Sequence, residues 1–355
     1  MLVSWRPETR LEWAFFGTTA VQAVANITIQ TVVLVTYLNW VNSVVYQVPL
    51  AYVAPLTLAV NSLGCLFQVI LTLDAYRIKN HIQIFAQCVA NICLSISTVL
   101  QYGEIRSAAA RILLNHDMYG TPFADHDWPF RNKVSIGLMT CAVVTCVCSA
   151  IMCGLARGLY REFSWALYQH VSPDKKIQTK YMIYQIYLVL LKITPYFVFA
   201  FIFIYDFIDV HYKEPEFSLT LSILPATLIH VAIAVYFVRH ERRVGMAVVL
   251  VLHAANIAYL TSRLLVLYGH SLLAKTLMKD EMVFYLCVAL FFSTSALIVG
   301  TVCFFNFKKG LRPILLGQVQ RKPRAHELED DYYVQRLNYN VVPLADRDSQ
   351  RWTLD

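Results

Sequence analysis

The chain has 355 residues, 57% of them hydrophobic and only 15% charged, with a net charge of +7. A mean hydropathy of +0.51 with so few charges excludes a water-soluble globular domain, whose surface needs more of them. The basic residues stand in short clusters between apolar runs, which the positive-inside rule explains, and this argues against nucleic-acid binding.

A helix needs about 20 mostly apolar residues to cross the hydrocarbon core. Eight runs meet that length, at approximately 13–36, 51–74, 82–103, 134–156, 184–207, 218–238, 246–268 and 283–306. The expected fold is all-α, a polytopic transmembrane helical bundle of about eight spans with both termini cytosolic. It divides into a cytosolic N-terminal segment (1–12), a transmembrane helical domain (13–306) with an interfacial cytosolic loop (157–183), and a disordered cytosolic tail (307–355). Arg6 and Arg10 precede the first run without a small-residue cleavage site, so it reads as a retained helix. The sequon at Asn26 lies inside that span and should be unused. In the third span Gln83, Gln87, Asn91 and Gln101 dilute the apolar run, making it the least secure of the eight.

The loop after the third span carries His116, Asp117, Asp125, His126 and Asp127, five side chains able to ligate a cation. Gly120, Pro122 and Pro129 make it irregular and no regular ligand spacing is present, so it reads as a solvated acidic loop and no metal is expected. The fourth span crowds Cys141, Cys146, Cys148 and Cys153 with Gly137, Ala142, Ser149 and Gly154. Such small residues let helices approach closely, and Gly154 with Gly158 forms a GxxxG step. All nine cysteines fall in apolar runs, which implies neither a disulfide framework nor a zinc knuckle.

Beyond it, Leu159, Tyr160, Phe163, Trp165 and Tyr168 alternate with Arg157, Arg161 and His170, the pattern of a helix lying in the cytosolic headgroup region. Ser172, Pro173 and Asp174 then read as the cap and first turn of a new helix leading into the fifth span. Trp165, Tyr168, Lys175 and Lys176 are the candidate lipid-interface residues, and anionic lipid head groups the partner they would meet. Lys and Arg in alternate loops number fifteen on the side of this segment and seven on the other, which puts the segment and both chain ends in the cytosol.

Charges inside the later spans need partners. Lys192 should lie on the cytosolic half of the fifth span, level with Asp74 at the end of the second. Arg263 should lie near the opposite end of the seventh, level with Asp206 and Asp209. These make two candidate buried pairs, Asp74 with Lys192 and Asp206 with Arg263. His230 and His253 each stand in a span, where helix-to-helix hydrogen bonding is their ordinary use. No HExxH, GxSxG, P-loop or dinucleotide fingerprint occurs, so neither an enzyme nor a cofactor is expected. In the tail, Tyr339 to Val342 fits a tyrosine-based sorting peptide that a trafficking adaptor would bind as an extended strand.

Several of these stretches together resemble a fungal family of uncharacterised multi-pass Golgi apparatus membrane proteins. They are Trp165 to Tyr168 followed by Ser172, Pro173 and Asp174; Tyr184, Gln185 and Ile186; Leu190, Leu191 and Lys192; Arg239 to Arg243 ahead of Met246; Tyr259 to Leu264; and Asn306 to Leu311. The resemblance covers roughly residues 10 to 315 and departs after Lys192, where Ile193, Thr194 and Pro195 replace the expected acid and phenylalanines. It implies a Golgi location and a multi-pass topology, and carries no activity. The expected role is non-enzymatic, in membrane organisation or trafficking. A small-solute or lipid transporter with Lys192, Pro195, Arg263, His230 and His253 along its path is the first alternative, and a ligand-sensing receptor the second.

Overall fold

The structure is a computed structural model that describes residues 7, 9–42, 48–78, 80–124, 133–170, 175–210, 215–269 and 276–307; for 78, 162–170 and 175–176 it describes the backbone alone. These residues form eight helices: α1 (Arg10–Trp40), α2 (Pro49–Ile78), α3 (His81–Leu114), α4 (Ser135–His170), α5 (Lys175–Tyr205), α6 (Glu216–Arg239), α7 (Arg243–Tyr268) and α8 (Lys279–Asn306). Each is long and apolar enough to cross a membrane. A π-helical turn, Asp206–Val210, extends α5.

Local signals set several boundaries. Thr9 caps α1 in a capping box: its hydroxyl accepts from the Glu12 amide at 3.2 Å, and the Glu12 carboxylate accepts from the Thr9 amide at 3.4 Å. Asn80 caps α3 by accepting from the Ile82 amide at 3.0 Å. Only three residues separate α6 from α7, and the chain reverses there with Glu241 in the left-handed region, φ 50°. Such short connections make consecutive helices antiparallel neighbours.

The helices close into two rings of four. In the first, α1 packs on α2 and α4, and α3 packs on the same two; in the second, α5 packs on α6 and α8, and α7 packs on the same two. The rings meet where α2 and α3 lie against α5, and α3 against α8. This makes α5 the most buried span and α6 the least. The outer faces of the two rings carry exposed Val, Leu, Ile and Phe side chains, among them Val24, Phe85, Val143, Leu265 and Phe291, which suit contact with lipid tails.

The first ring has a polar interior. Gln22 and Asn91 exchange two amide hydrogen bonds, 2.8 and 3.1 Å, and Asn91 also donates to Ser149 at 2.8 Å. Asn26 donates to Thr145 at 2.9 Å, Ser62 to Gln30 at 2.6 Å, and Asn61 to Gln101 at 2.7 Å. Ser97 links Asn61, at 3.0 Å, to the Tyr285 hydroxyl of the second ring, at 2.6 Å. Between helices in lipid, apolar burial gives no driving force, so close packing and such bonds hold the helices together.

The structure adds detail to three expectations. The segment after the fourth span continues α4, which runs unbroken to His170. At 1.5 Å per residue its 36 residues span about 54 Å. Leu159, fully buried with Phe15, Tyr76, Ile84 and Met152, ties that extension to the ends of α1, α2 and α3. In the described part of the loop after α3, His116 and Pro122 form a bridge and Gly120, at φ 81°, turns the chain between them. Asn42 ties the loop after α1 to it, with its amide on the Phe123 carbonyl at 3.0 Å. The GxxxG step is half used: a Cβ on Gly158 would meet Leu11 at 3.1 Å, whereas one on Gly154 would meet nothing.

Candidate functional site in the membrane-depth groove

Helices α5, α6 and α7 do not close against each other along their whole length. Pro195 in α5 offers no N–H to the carbonyl one turn back, and Pro225 in α6 does the same, which loosens the facing turns. Between the three helices lies a groove of about 500 Å³ with mostly apolar walls; its polar lining comes from Thr194, Thr227, His230, His253, Asn256 and Tyr259, with Pro195 beside them.

The histidines fall together because α6 and α7 are antiparallel neighbours. Their ring centroids are 4.4 Å apart. His253 is buried, and its Nε2 meets the Tyr187 hydroxyl of α5 at 3.2 Å, the helix-to-helix bond expected of an intramembrane histidine. His230 Nε2 has no hydrogen-bond partner. Asn256 donates to Ser293 of α8 at 3.3 Å, while the Thr194 hydroxyl is spent on the Leu190 carbonyl at 2.8 Å. The groove therefore offers an apolar channel for a chain or ring and, at one depth, an imidazole nitrogen and an amide able to bond a polar group.

Arg263 lies one helical turn from Tyr259, at one end of this groove. It does not pair with Asp206. Its guanidinium sits over the rings of Tyr205 and Tyr259, 5.2 Å from each centroid, and donates to the Tyr205 hydroxyl at 3.0 Å. Two ring faces and a phenol hold the cation in place of a carboxylate, although its Nε has no hydrogen-bond partner, and the expected ion pair is not formed among the described residues. Asp206 itself is fully buried in the π-helical turn.

Midway along α5, Lys192 points away from the groove into the seam between the rings. Its ammonium pairs with the Asp74 carboxylate and donates to Gln83 Oε1 at 3.2 Å; Gln83 in turn donates to Asp74 at 2.9 Å. The structure thus joins Asp74 to Lys192 through a third helix, α3, whose part in the pair the charges alone did not reveal. Of the five residues grouped for a transport path, Pro195, His230 and His253 share the groove, Arg263 adjoins it, and Lys192 lies outside it.

Trp165 and Tyr168 lie on the last turns of α4, and Lys175 and Lys176 open α5, with side chains outside the described residues, as are Tyr339 and Val342 in the tail. Asp125, His126 and Asp127 also lie outside them. Among the described residues no three of His, Cys, Asp or Glu gather as metal ligands.

No protein-family profile matches the chain. It is a distant homologue of a UPF0658 Golgi apparatus membrane protein of the fission yeast Schizosaccharomyces pombe, 23% identical over 272 residues that cover 73% of this chain and 77% of the relative. No solved structure matches it.

Proposed function

We propose that this chain, a multi-pass membrane protein and a distant homologue of a UPF0658 Golgi apparatus membrane protein, works in the Golgi membrane as a non-enzymatic carrier. It takes a lipid or small amphiphilic solute into the groove between α5, α6 and α7. Both termini face the cytosol. The relative's name supports the location, and the bias of basic residues supports the orientation.

The observation that carries this reading is the groove itself: an apolar space at membrane depth beside two prolines, with an unpartnered imidazole nitrogen and an arginine near one end. Broken or loosened helices with a few polar groups at the midplane are how membrane carriers build a binding site. A role in membrane organisation or trafficking would use the aromatic and basic segment and the tail, whose side chains lie outside the described residues. The groove therefore favours the carrier.

The test is transfer in vesicles. Full-length protein in phosphatidylcholine vesicles should speed exchange of a fluorescent phospholipid, or of one member of a panel of small amphiphiles, between the leaflets or across them. Ala226→Trp, which fills the groove, should slow it severalfold while leaving the thermal unfolding midpoint in detergent near the wild type's. If the filled variant moves the probe as fast as the wild type, the groove is not the route. If no probe moves faster than in protein-free vesicles, the trafficking reading replaces this one.

A further inference from the structure

The first turn of α8 holds a second site, at the seam where α8 meets α3 and apart from the groove. Glu281 has no accessible surface, and neither of its carboxylate oxygens has a hydrogen-bond partner. A carboxylate removed from water needs a positive charge or a hydrogen-bond donor on its oxygens, and among the described residues no side chain supplies one. The groups around it are Glu104 of α3, which acts on it electrostatically, and the hydroxyls of Tyr196 on α5 and Tyr285 on its own helix, both of which feel its charge. Its facing charge is of the wrong sign to pair with it.

Glu281 has a route to water. Glu104, half-buried, stands in the wall of a cleft of about 230 Å³, together with Ser107 and Arg111 of α3 and Thr276, Lys279 and Asp280 at the start of α8. Glu104 therefore lines the cleft and lies close enough to Glu281 for the two charges to act on each other. Inward from Glu281, Tyr285 lies one turn further along α8 and bonds Ser97 at 2.6 Å, which continues to Asn61 and Gln101.

From this arrangement we infer that Glu281 is a proton-binding site, loaded from the cleft at the α3 to α8 end of the molecule by way of Glu104. A proton from cleft water adds to a Glu104 oxygen, passes to a Glu281 oxygen and leaves by the same steps reversed. Each transfer moves one proton between two oxygens, and no other reactant is consumed. One exchangeable proton on a single buried carboxyl, next to a hydrogen-bonded line between the two rings, is the equipment of a proton-coupled membrane protein. The inference is independent of the groove, because its test reads the carboxyl and not transfer.

The experiment is infrared difference spectroscopy of the full-length protein in phosphatidylcholine nanodiscs, stepped between acidic and alkaline buffer. The expected result is a protonated-carboxyl C=O band that shifts in heavy water, disappears in Glu281→Gln and has a different titration midpoint in Glu104→Gln. Tyr285→Phe keeps the carboxyl and removes the hydroxyl beside it, so it should move the band without abolishing it, and it serves if Glu281→Gln fails to fold. A band unchanged in Glu281→Gln or in Tyr285→Phe overturns the inference. So does one that does not shift in heavy water, which would mean a sealed structural carboxyl. Loss of the band on adding sodium at constant pH also overturns it, in favour of a metal-cation site.

Discussion

At the scale of single residues, Lys192 and Arg263 inside the spans are both met, but in different ways. Lys192 finds Asp74 and Gln83, whereas Arg263 finds two aromatic rings and a phenol. The first partnership was legible in the sequence, since a lysine and an aspartate at equal depth on opposite-running spans are natural partners. The second was not, because tyrosines near a span end read equally as an interface belt. Lys192→Asp should lower folded abundance, and Asp74→Lys in the same chain should restore part of it, because each single change leaves like charges facing one another. Independent positions would give additive damage, read by fluorescence-detected size exclusion. For the other contact, Arg263→Lys keeps the charge but loses the planar stacking and the fixed fork, so it should cost about 1 kcal/mol in detergent unfolding. Arg263→Lys with unchanged unfolding would mean that the rings contribute nothing.

At the scale of elements, the existence of all eight helices was legible and the inward face of α3 was the part misjudged. Gln83, Gln87, Asn91 and Gln101 weakened the case for a span when counted as polar dilution, yet Gln83, Gln87, Asn91 and Ser95 repeat every four residues and all are buried. Polar residues at helical spacing mark a protein-facing stripe, and that signal was available without coordinates. Asn91 is the node, bonded to Gln22 and Ser149, so Asn91→Leu should destabilise the first ring by roughly 1–2 kcal/mol, with a coupling to Gln22→Leu in a double-mutant cycle. Additive single effects would show that the amide pair is decorative. The small-residue argument works similarly at one position that composition could not single out. A Cβ on Gly64 would stand 2.8 Å from Leu94 Cδ1 and 2.9 Å from Tyr196 Cζ, and the Tyr196 ring is held by stacking on Phe67, centroids 5.3 Å apart. Gly64→Ala should therefore cost about 1–3 kcal/mol as overpacking, whereas Gly154→Ala, which meets nothing, should be neutral or better in the same unfolding assay.

At the scale of the whole molecule, the sequence carried the number of spans but not their grouping, because hydropathy reports burial in lipid and is silent on which helices touch. The two four-helix rings arise from contacts between α1 and α4 and between α5 and α8, pairs distant in sequence and joined by no motif. The connection between the rings fixes their relation to the membrane. Eight antiparallel helices bring the start of α1 and the end of α8 to the end that holds Asp74 with Lys192, and the opposite end holds Arg263, Glu281 and the bridged loop around Gly120. Fifteen basic residues against seven support the proposal that the first of these ends faces the cytosol. Reporters fused before Met1 and after Asp355 should accordingly be digested by protease added to sealed Golgi vesicles, and one inserted at Gly120 should be protected. The Gly120 position is the more informative, since it separates sidedness from span count. Protection at both termini with digestion at Gly120 would invert the molecule and put the Glu281 cleft in the cytosol. Protection at one terminus only would remove a span, and the closed pairing of α1 with α4 or of α5 with α8 could not then be antiparallel. The groove and the proton site also depend on this outcome in opposite ways. Inversion would leave the groove at the same depth and its transfer assay unchanged, whereas it would expose Glu281 to cytosolic pH and remove any response of the protein to the pH of the lumen.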